Sequence, residues 1–273
     1  MNRPMTLKDA FDAVLSQERE VNGINTNSNL DFCIPSLSQY ITEPLDGSMI
    51  VLGARPSEGK STFALQLALN YALEKKVDVL YFSPEMHSVY LVRRMLRTQL
   101  GNVINSDDVK EKADKIKNLT TSSLYIDDTP SIEIEEMRTK IREFCLTRNS
   151  WKTVVFVDYL QLIRGPKDLR CHREEEVAYI VRELKSCAME NNITIVVCSQ
   201  LCRVVGTRIQ SDLSLCDLRE TRSIEQDSDV IILFSKGYGV VAKNRHGKVG
   251  KFEWEFDEEY LTFRSKANCE DKS

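Results

Sequence analysis

The run Gly53-Ala54-Arg55-Pro56-Ser57-Glu58-Gly59-Lys60-Ser61-Thr62 fits the spacing G-x-x-x-x-G-K-[ST] of a phosphate-binding loop. An apolar stretch of strand length, Met49 to Leu52, precedes it, and good helix formers, Thr62 to Ala68, follow it. A nucleotide polyphosphate needs many hydrogen-bond donors. The N–H groups of a loop wrapped in front of a helix N-terminus supply them, with help from the helix dipole. Gly53 and Gly59 let the backbone turn tightly and come close to the phosphates. In this chemistry Lys60 reaches the β- and γ-phosphate oxygens and Ser61 offers its hydroxyl to a magnesium ion, so ATP and Mg²⁺ are the expected ligands.

Other polar residues stand where such a site would need them. Asp158 closes the apolar run TVVFVD, the Walker B arrangement, where a carboxylate can hold the water shell of Mg²⁺ beside Ser61. Glu85 follows the run VDVLYFS and could polarise the water that attacks a γ-phosphate; a helix-start glutamate is the bland alternative. Gln200 follows ITIVVCS, where a neutral amide can feel the γ-phosphate, or can simply be a surface glutamine. Lys243 and Arg245 lie in AKNRHG, near a turn closed by Gly247. A guanidinium that meets developing charge on phosphate oxygens aids transfer, and one pointing away from its own nucleotide must act on a neighbour's. The alternative is a solvated basic turn.

Strand-like and helix-like segments alternate through most of the chain, which predicts a mainly parallel α/β sheet flanked by helices. Late strands joined by short turns add antiparallel pairs at the edge. Helices are expected over 60–75, 88–100, 131–148, with Ser131 as cap, and 174–190. Residues 1–29 read as an amphipathic helix, Thr6 to Glu20, and a polar linker; 30–264 as the compact domain; 265–273 as a polar tail. Ligands in such sheets sit at the carboxyl ends of the strands, where Gly53, Glu85, Asp158 and Gln200 all fall.

A length of 273 residues suits one large domain, and a net charge of −4 speaks against coating nucleic acid by bulk charge while allowing a local basic strip. No apolar run has membrane-span length and no signal-peptide core opens the chain, so a cytoplasmic protein without a membrane partner is expected. The eight cysteines lack CxxC spacing and read as reduced thiols. Basic residues cluster beyond two strands: Arg203, Arg208, Arg219 and Arg222 after the Gln200 strand, and Arg164, Lys167, Arg170 and Arg173 after the Asp158 strand. Without interleaved aromatics they favour phosphate tracking along single-stranded DNA, or else are two solvated loops.

The strings GARPSEGKSTFALQLA, FSPEM, LYIDDTP, VDYLQLI, SQL, DLRETRSIEQDSDVI and AKNRHGKVG occur in this order between Ile50 and Phe263. In them the chain resembles the C-terminal ATPase domain of DnaB-type replicative DNA helicases, of the RecA-like P-loop fold. The phosphate loop is generic; VDYLQLI together with DLRE and SIEQD is specific. The resemblance implies a homo-oligomeric ring, usually a hexamer, with ATP at subunit interfaces and 5′ to 3′ translocation on single-stranded DNA. It implies catalysis by Glu85, Mg²⁺ binding by Ser61 and Asp158, sensing by Gln200, and trans-acting cations at Lys243 and Arg245. It puts DNA-backbone contact at Arg219, Glu220 and Arg222, and makes a primase or a helicase loader a candidate partner. The Thr6 to Glu20 helix stands where the family has a linker helix that docks on the next subunit.

There are departures. The chain is short for the family's primase-contacting N-terminal domain, as in a short phage-type homologue or a truncated chain. Arg222 replaces a usual glycine, Pro84 a leucine, and Cys202 an asparagine. A RecA-like recombination or strand-annealing ATPase, and a helicase-associated nucleotide-binding module that is not a motor, share the fold and stay open as alternatives.

Overall fold

The computed structural model describes residues 30–42, 45–101, 113–148, 150–169, 172–201, 213–215, 218 and 221–266. The expected helix over Thr6 to Glu20 and the loop residues Arg170, Arg203, Arg208, Arg219 and Glu220 lie outside them.

The elements in chain order are α1 (Pro35–Ser38), β1 (Met49–Ala54), α2 (Lys60–Leu73), β2 (Asp78–Phe82), α3 (Ser88–Leu100), α4 (Ala113–Thr120), β3 (Leu124–Asp127), α5 (Ile134–Leu146), β4 (Thr153–Val157), a 3₁₀ turn (Leu160–Leu162), α6 (Arg173–Asn191), β5 (Thr194–Gln200), α7 (Thr221–Asp227), β6 (Val230–Ser235), β7 (Tyr238–Asn244), β8 (Gly250–Asp257) and β9 (Thr262–Ser265). The strands form one sheet in the order β3-β2-β4-β5-β1-β6-β7-β8-β9. The pairs among β1 to β6 are parallel, and β6 to β9 pair antiparallel.

The apolar strand runs are buried on both faces because both faces are covered, as parallel sheets require. Alternate residues go to opposite sides. Ile50, Leu52, Val79, Tyr81, Val154, Phe156, Val196 and Cys198 join α2 and α3 in one core. Met49, Val51, Leu80, Phe82, Val155, Val157, Ile195 and Val197 join α5 and α6 in the other. β1 lies between β5 and β6, so the loop it launches emerges from the centre of the sheet.

Helix α2 buries Phe63, Ala64, Leu65, Leu67, Ala68, Leu69, Tyr71 and Ala72. Burial of a side chain such as Phe63 is worth about 1.5–3 kcal/mol, so packing rather than helix propensity fixes this element. Its partner across the core is the last strand. Gln66 Nε2 donates to the Phe263 carbonyl at 2.9 Å, and the Phe263 N–H donates back to Gln66 Oε1 at 2.7 Å.

The expected helix over 131–148 is shorter than predicted, and Ser131 does not cap it. Ser131 sits at φ 54, in the left-handed region. Glu133 is the N-cap residue, with no side-chain cap bond, and Glu135 and Glu136 occupy the first turn. The Ile134 N–H is instead satisfied by the Arg164 carbonyl at 2.9 Å. No described helix is long and apolar enough to cross a membrane.

Candidate nucleotide site

The strand β1 delivers the loop 55–59 to the carboxyl rim of the sheet. A reciprocal turn braces it: the Arg55 N–H donates to Glu58 Oε2 and the Glu58 N–H to the Arg55 carbonyl, each at 3.2 Å. Gly59 takes φ 89 as the N-cap of α2. A Cβ there would lie 2.6 Å from Phe263 Cζ, so both the turn and the floor of the cradle exclude a side chain. The first N–H groups of α2 have no acceptor within the helix; the Phe63 N–H is met by the Gly59 carbonyl at 2.8 Å.

Above the loop is a cavity of about 400 Å³. Residues of the loop line it, together with Lys60, Ser61, Thr62, Glu85 and Gln200. The sequence-predicted acid, amide and phosphate loop therefore meet in one place, except that Gly53 and Glu58 do not line it: Gly53 stays inside β1, where a Cβ would lie 2.7 Å from Leu233 Cδ2. Asp158 lies directly behind. Lys60 Nζ donates to Asp158 Oδ1 at 2.9 Å, with side-chain exposures of 12% and 5%. Tyr81 Oη donates to Asp158 Oδ2 at 3.2 Å. Burial works against the Lys60 charge, but the surrounding acidic groups, Asp158 in direct contact among them, outweigh it and hold its pKa above the ordinary lysine value. Burial, with Asp158 adding to it, pushes the Tyr81 hydroxyl and the Cys198 thiol far up, so both stay protonated beside the carboxylate, to which Tyr81 donates.

Each of these groups is placed by backbone. The Asp158 N–H continues the β2–β4 ladder by donating to the Phe82 carbonyl at 3.0 Å. Glu85 sits in the exposed turn between β2 and α3. The next strand's loop anchors that turn: Asp128 Oδ2 accepts from the Ser88 N–H at 2.7 Å, at the start of α3. Gln161 Oε1 accepts from the Gln200 N–H at 3.4 Å and Gln161 Nε2 donates to Ser199 Oγ at 3.1 Å, joining the loops after β4 and β5.

Four residues of the site were not singled out from the sequence. Tyr81, Tyr159, whose ring lies 4.6 Å from Lys60 Nζ, Met86 and Arg94 border it. A tyrosine inside the apolar run VDVLYFS was the available signal for Tyr81. For Arg94 the signal was faint: it is one of three arginines on α3, and only the fold shows that this one turns to the pocket.

Lys243 and Arg245 are not at this pocket. Asn244 pairs with Val230, which is level with Ile50 at the start of β1. Both cations therefore lie at the amino rim of the sheet, roughly 17 Å from the loop along the six residues of β1. Neither is a loose basic turn. Lys243 Nζ donates to the carbonyls of Glu225 and Ser228 at 2.5 and 2.6 Å, at the C-terminal end of α7. Burial and the neighbouring Arg245 lower its pKa. Of the expected DNA-contacting residues, Arg222 is exposed on α7, and Arg164 and Lys167 are exposed after β4, whereas Arg173 is tied to Glu176 Oε2 at 2.6 Å and to the Gln161 carbonyl at 3.0 Å.

The sequence matches the DnaB-like helicase C terminal domain family over residues 33–265. The chain belongs to that family. It is 36% identical over 237 residues to "Replicative DNA helicase DnaC" of Bacillus subtilis, covering 79% of this chain and 52% of that protein. It is 32% identical over 277 residues to "Replicative DNA helicase DnaB" of Geobacillus stearothermophilus, covering 93% and 59%. The chain thus spans about half the length of these relatives. Among solved structures, one of an isolated ATPase domain superposes with a TM-score of 0.84 at 24% identity, covering 97% of this chain and all of that one. "The Structure Of A DnaB-Like Replicative Helicase And Its Interactions With Primase" superposes with a TM-score of 0.80 at 24% identity, covering 97% of this chain and 68% of that one. The fold is the RecA-like fold of these DnaB-like domains.

Proposed function

We propose that this chain is an ATP-driven motor of the replicative helicase type, moving 5′ to 3′ on single-stranded DNA as a homo-oligomeric ring. The observation that carries the reading is the separation of Arg245 from its own phosphate loop by the height of the sheet, in a chain whose loop, acid and amide share one pocket. Unlike Arg55 and Arg94, which border the pocket of their own copy, Arg245 can then meet only a nucleotide held by a neighbouring copy. Closed or helical head-to-tail assembly supplies that geometry.

The residues fit a triphosphate with its metal. The cradle admits only glycine at position 59, and Arg55 Nε is buried with no hydrogen-bond partner. Lys60 binds the phosphates, with the loop N–H groups around it. Ser61 and Asp158 would hold Mg²⁺, which when bound draws charge from the phosphate oxygens. Glu85 orients and polarises the attacking water. Gln200 reports the γ-phosphate to the loop that follows β5. The loops after β4 and β5 leave the same rim, and DNA-backbone contact is assigned to Arg203, Arg208, Arg219, Glu220 and Arg222 by position in the sequence. The relatives' names support replication as the setting, and the structural neighbour described with its primase interactions supports a primase-type partner.

The test is unwinding of a forked duplex by the full chain with ATP and Mg²⁺. A fork with a free 5′ tail on the loading strand should be opened and one with only a 3′ tail should not. Binding to oligo-dT should weaken steeply with salt, because phosphate contacts release counterions. Strand annealing without unwinding would replace this reading with the recombination alternative.

A further inference from the structure

A buried carboxylate at the amino rim has no part in the chemistry above. Asp229 precedes β6 and is 2% exposed. Its Oδ2 accepts from the Met49 N–H at 2.8 Å and from Lys185 Nζ at 2.6 Å. Its Oδ1 accepts from Arg245 Nη1 at 3.0 Å. Its backbone carbonyl accepts from the Arg245 N–H at 2.9 Å. Arg245 Nη2 donates to the Gln226 carbonyl at 3.2 Å, on the last turn of α7. The guanidinium is therefore gripped at two points, one charged and one neutral.

That grip leaves the cation usable. A guanidinium has five N–H donors in a planar fork, and these two bonds occupy two of them. The side chain is 44% exposed, so the rest of the fork is open to an acceptor from outside. The carboxylate does not cancel the local charge, because Lys185 shares it. A long, free arginine would lose rotamer freedom on meeting a phosphate; a fork already fixed loses less.

We propose that Asp229 is the positioning residue for Arg245, aiming its guanidinium at the nucleotide held by the neighbouring copy. The proposal rests on the assignment of Arg245 as a trans-acting cation. Its rival is a purely structural Asp229 that anchors the start of β1 through the Met49 N–H.

A double-mutant cycle separates the two, using single-turnover ATP hydrolysis by the full chain with oligo-dT and fluorescent-ADP binding as the second readout. Asp229→Asn should slow hydrolysis on the order of 10- to 100-fold where Arg245 is present, as expected for a misplaced reacting group, with ADP affinity within about twofold. In the Arg245→Ala background the same change should alter the rate by less than about twofold. An equal slowing in both backgrounds overturns the proposal and leaves Asp229 structural. Full hydrolysis by Arg245→Ala alone overturns the trans assignment, and this proposal with it. If Asp229→Asn does not fold, Asp229→Asn/Lys185→Met removes both buried charges together and carries the same two expectations.

Discussion

The ammonium of Lys60 donates to Asp158 Oδ1 at 2.9 Å, so the loop cation and the Walker B carboxylate neutralise one another beneath the pocket. Each is nearly buried, and a charge in such a place needs a partner. An arriving phosphate must therefore compete with Asp158 for Lys60. Lys60→Ala should weaken ATP binding about 10- to 150-fold, the equivalent of 1.5–3 kcal/mol for a charge-assisted bond, and abolish turnover. It should also lower Tm by several degrees by stranding Asp158, and Lys60→Ala/Asp158→Asn should recover part of that loss. Calorimetry of the two variants checks this; equal Tm values would show that the pair does not matter to the fold.

Glu85 lies on the exposed side of the pocket and touches neither Lys60 nor Asp158 through a hydrogen bond or ion pair. Glu85→Gln should retain nucleotide affinity within about threefold while losing at least about 100-fold in kcat, the range for a positioned base. Equilibrium binding measured beside steady-state turnover decides it. A proportional loss of both would move Glu85 from catalysis to binding.

Tyr81 holds the second oxygen of Asp158, and its ring stacks on Phe156 at 5.7 Å. Tyr81→Phe keeps the ring and removes only the donor. Hydrogen bonds to charged groups contribute about 1.5–3 kcal/mol, so a carboxylate freed to rotate should hold a divalent ion less well. The expected result is a higher Mg²⁺ requirement, read from Mg²⁺-dependent binding of fluorescent ADP, with metal-free binding unchanged. An unaltered Mg²⁺ titration would relieve Tyr81 of this role.

Asp127, at the end of β3, binds Lys140 at 2.8 Å and the Thr129 N–H at 2.9 Å. Burial pushes its carboxyl up, but the Lys140 and Thr129 hydrogen bonds outweigh this and hold it below the ordinary aspartate value. A depressed folded pKa means that the stabilisation is complete above the unfolded value of about 4 and fades as pH falls through the lower folded value. Lys140→Met should therefore lower Tm near neutrality, and its gap from wild type should shrink as pH falls below about 4. A gap independent of pH would mean that lost packing, not charge, destabilises the variant.

The pocket was legible because its parts are tied to strand ends. Once GARPSEGKS and TVVFVD are placed as strand-to-loop junctions, a parallel sheet brings Lys60 and Asp158 to one rim whatever lies between them. Gln200 followed by the same logic. Side chains that reach the site from a strand interior or a helix face were not legible. Tyr81 looks like any buried aromatic until the register sets it beside Phe156 and next to the Asp158 strand. The cap of α5 went wrong for a related reason. Ser131 has the right chemistry, but the backbone turns through a left-handed conformation there and the helix starts after Glu133. A distant carbonyl, Arg164, does the work of a local cap.

The antiparallel return of β7 along β6 has a further consequence, which concerns concentration. It carries Lys243 and Arg245 to the rim that faces away from the loop on which their own copy loads fuel. On the proposed trans role of Arg245, a dispersed chain would charge itself without discharging. Specific activity should climb as copies find one another, level off once every copy has a neighbour, and fall on simple dilution. Spare protein at low abundance would idle with its nucleotide intact, with no inhibitor needed to restrain it.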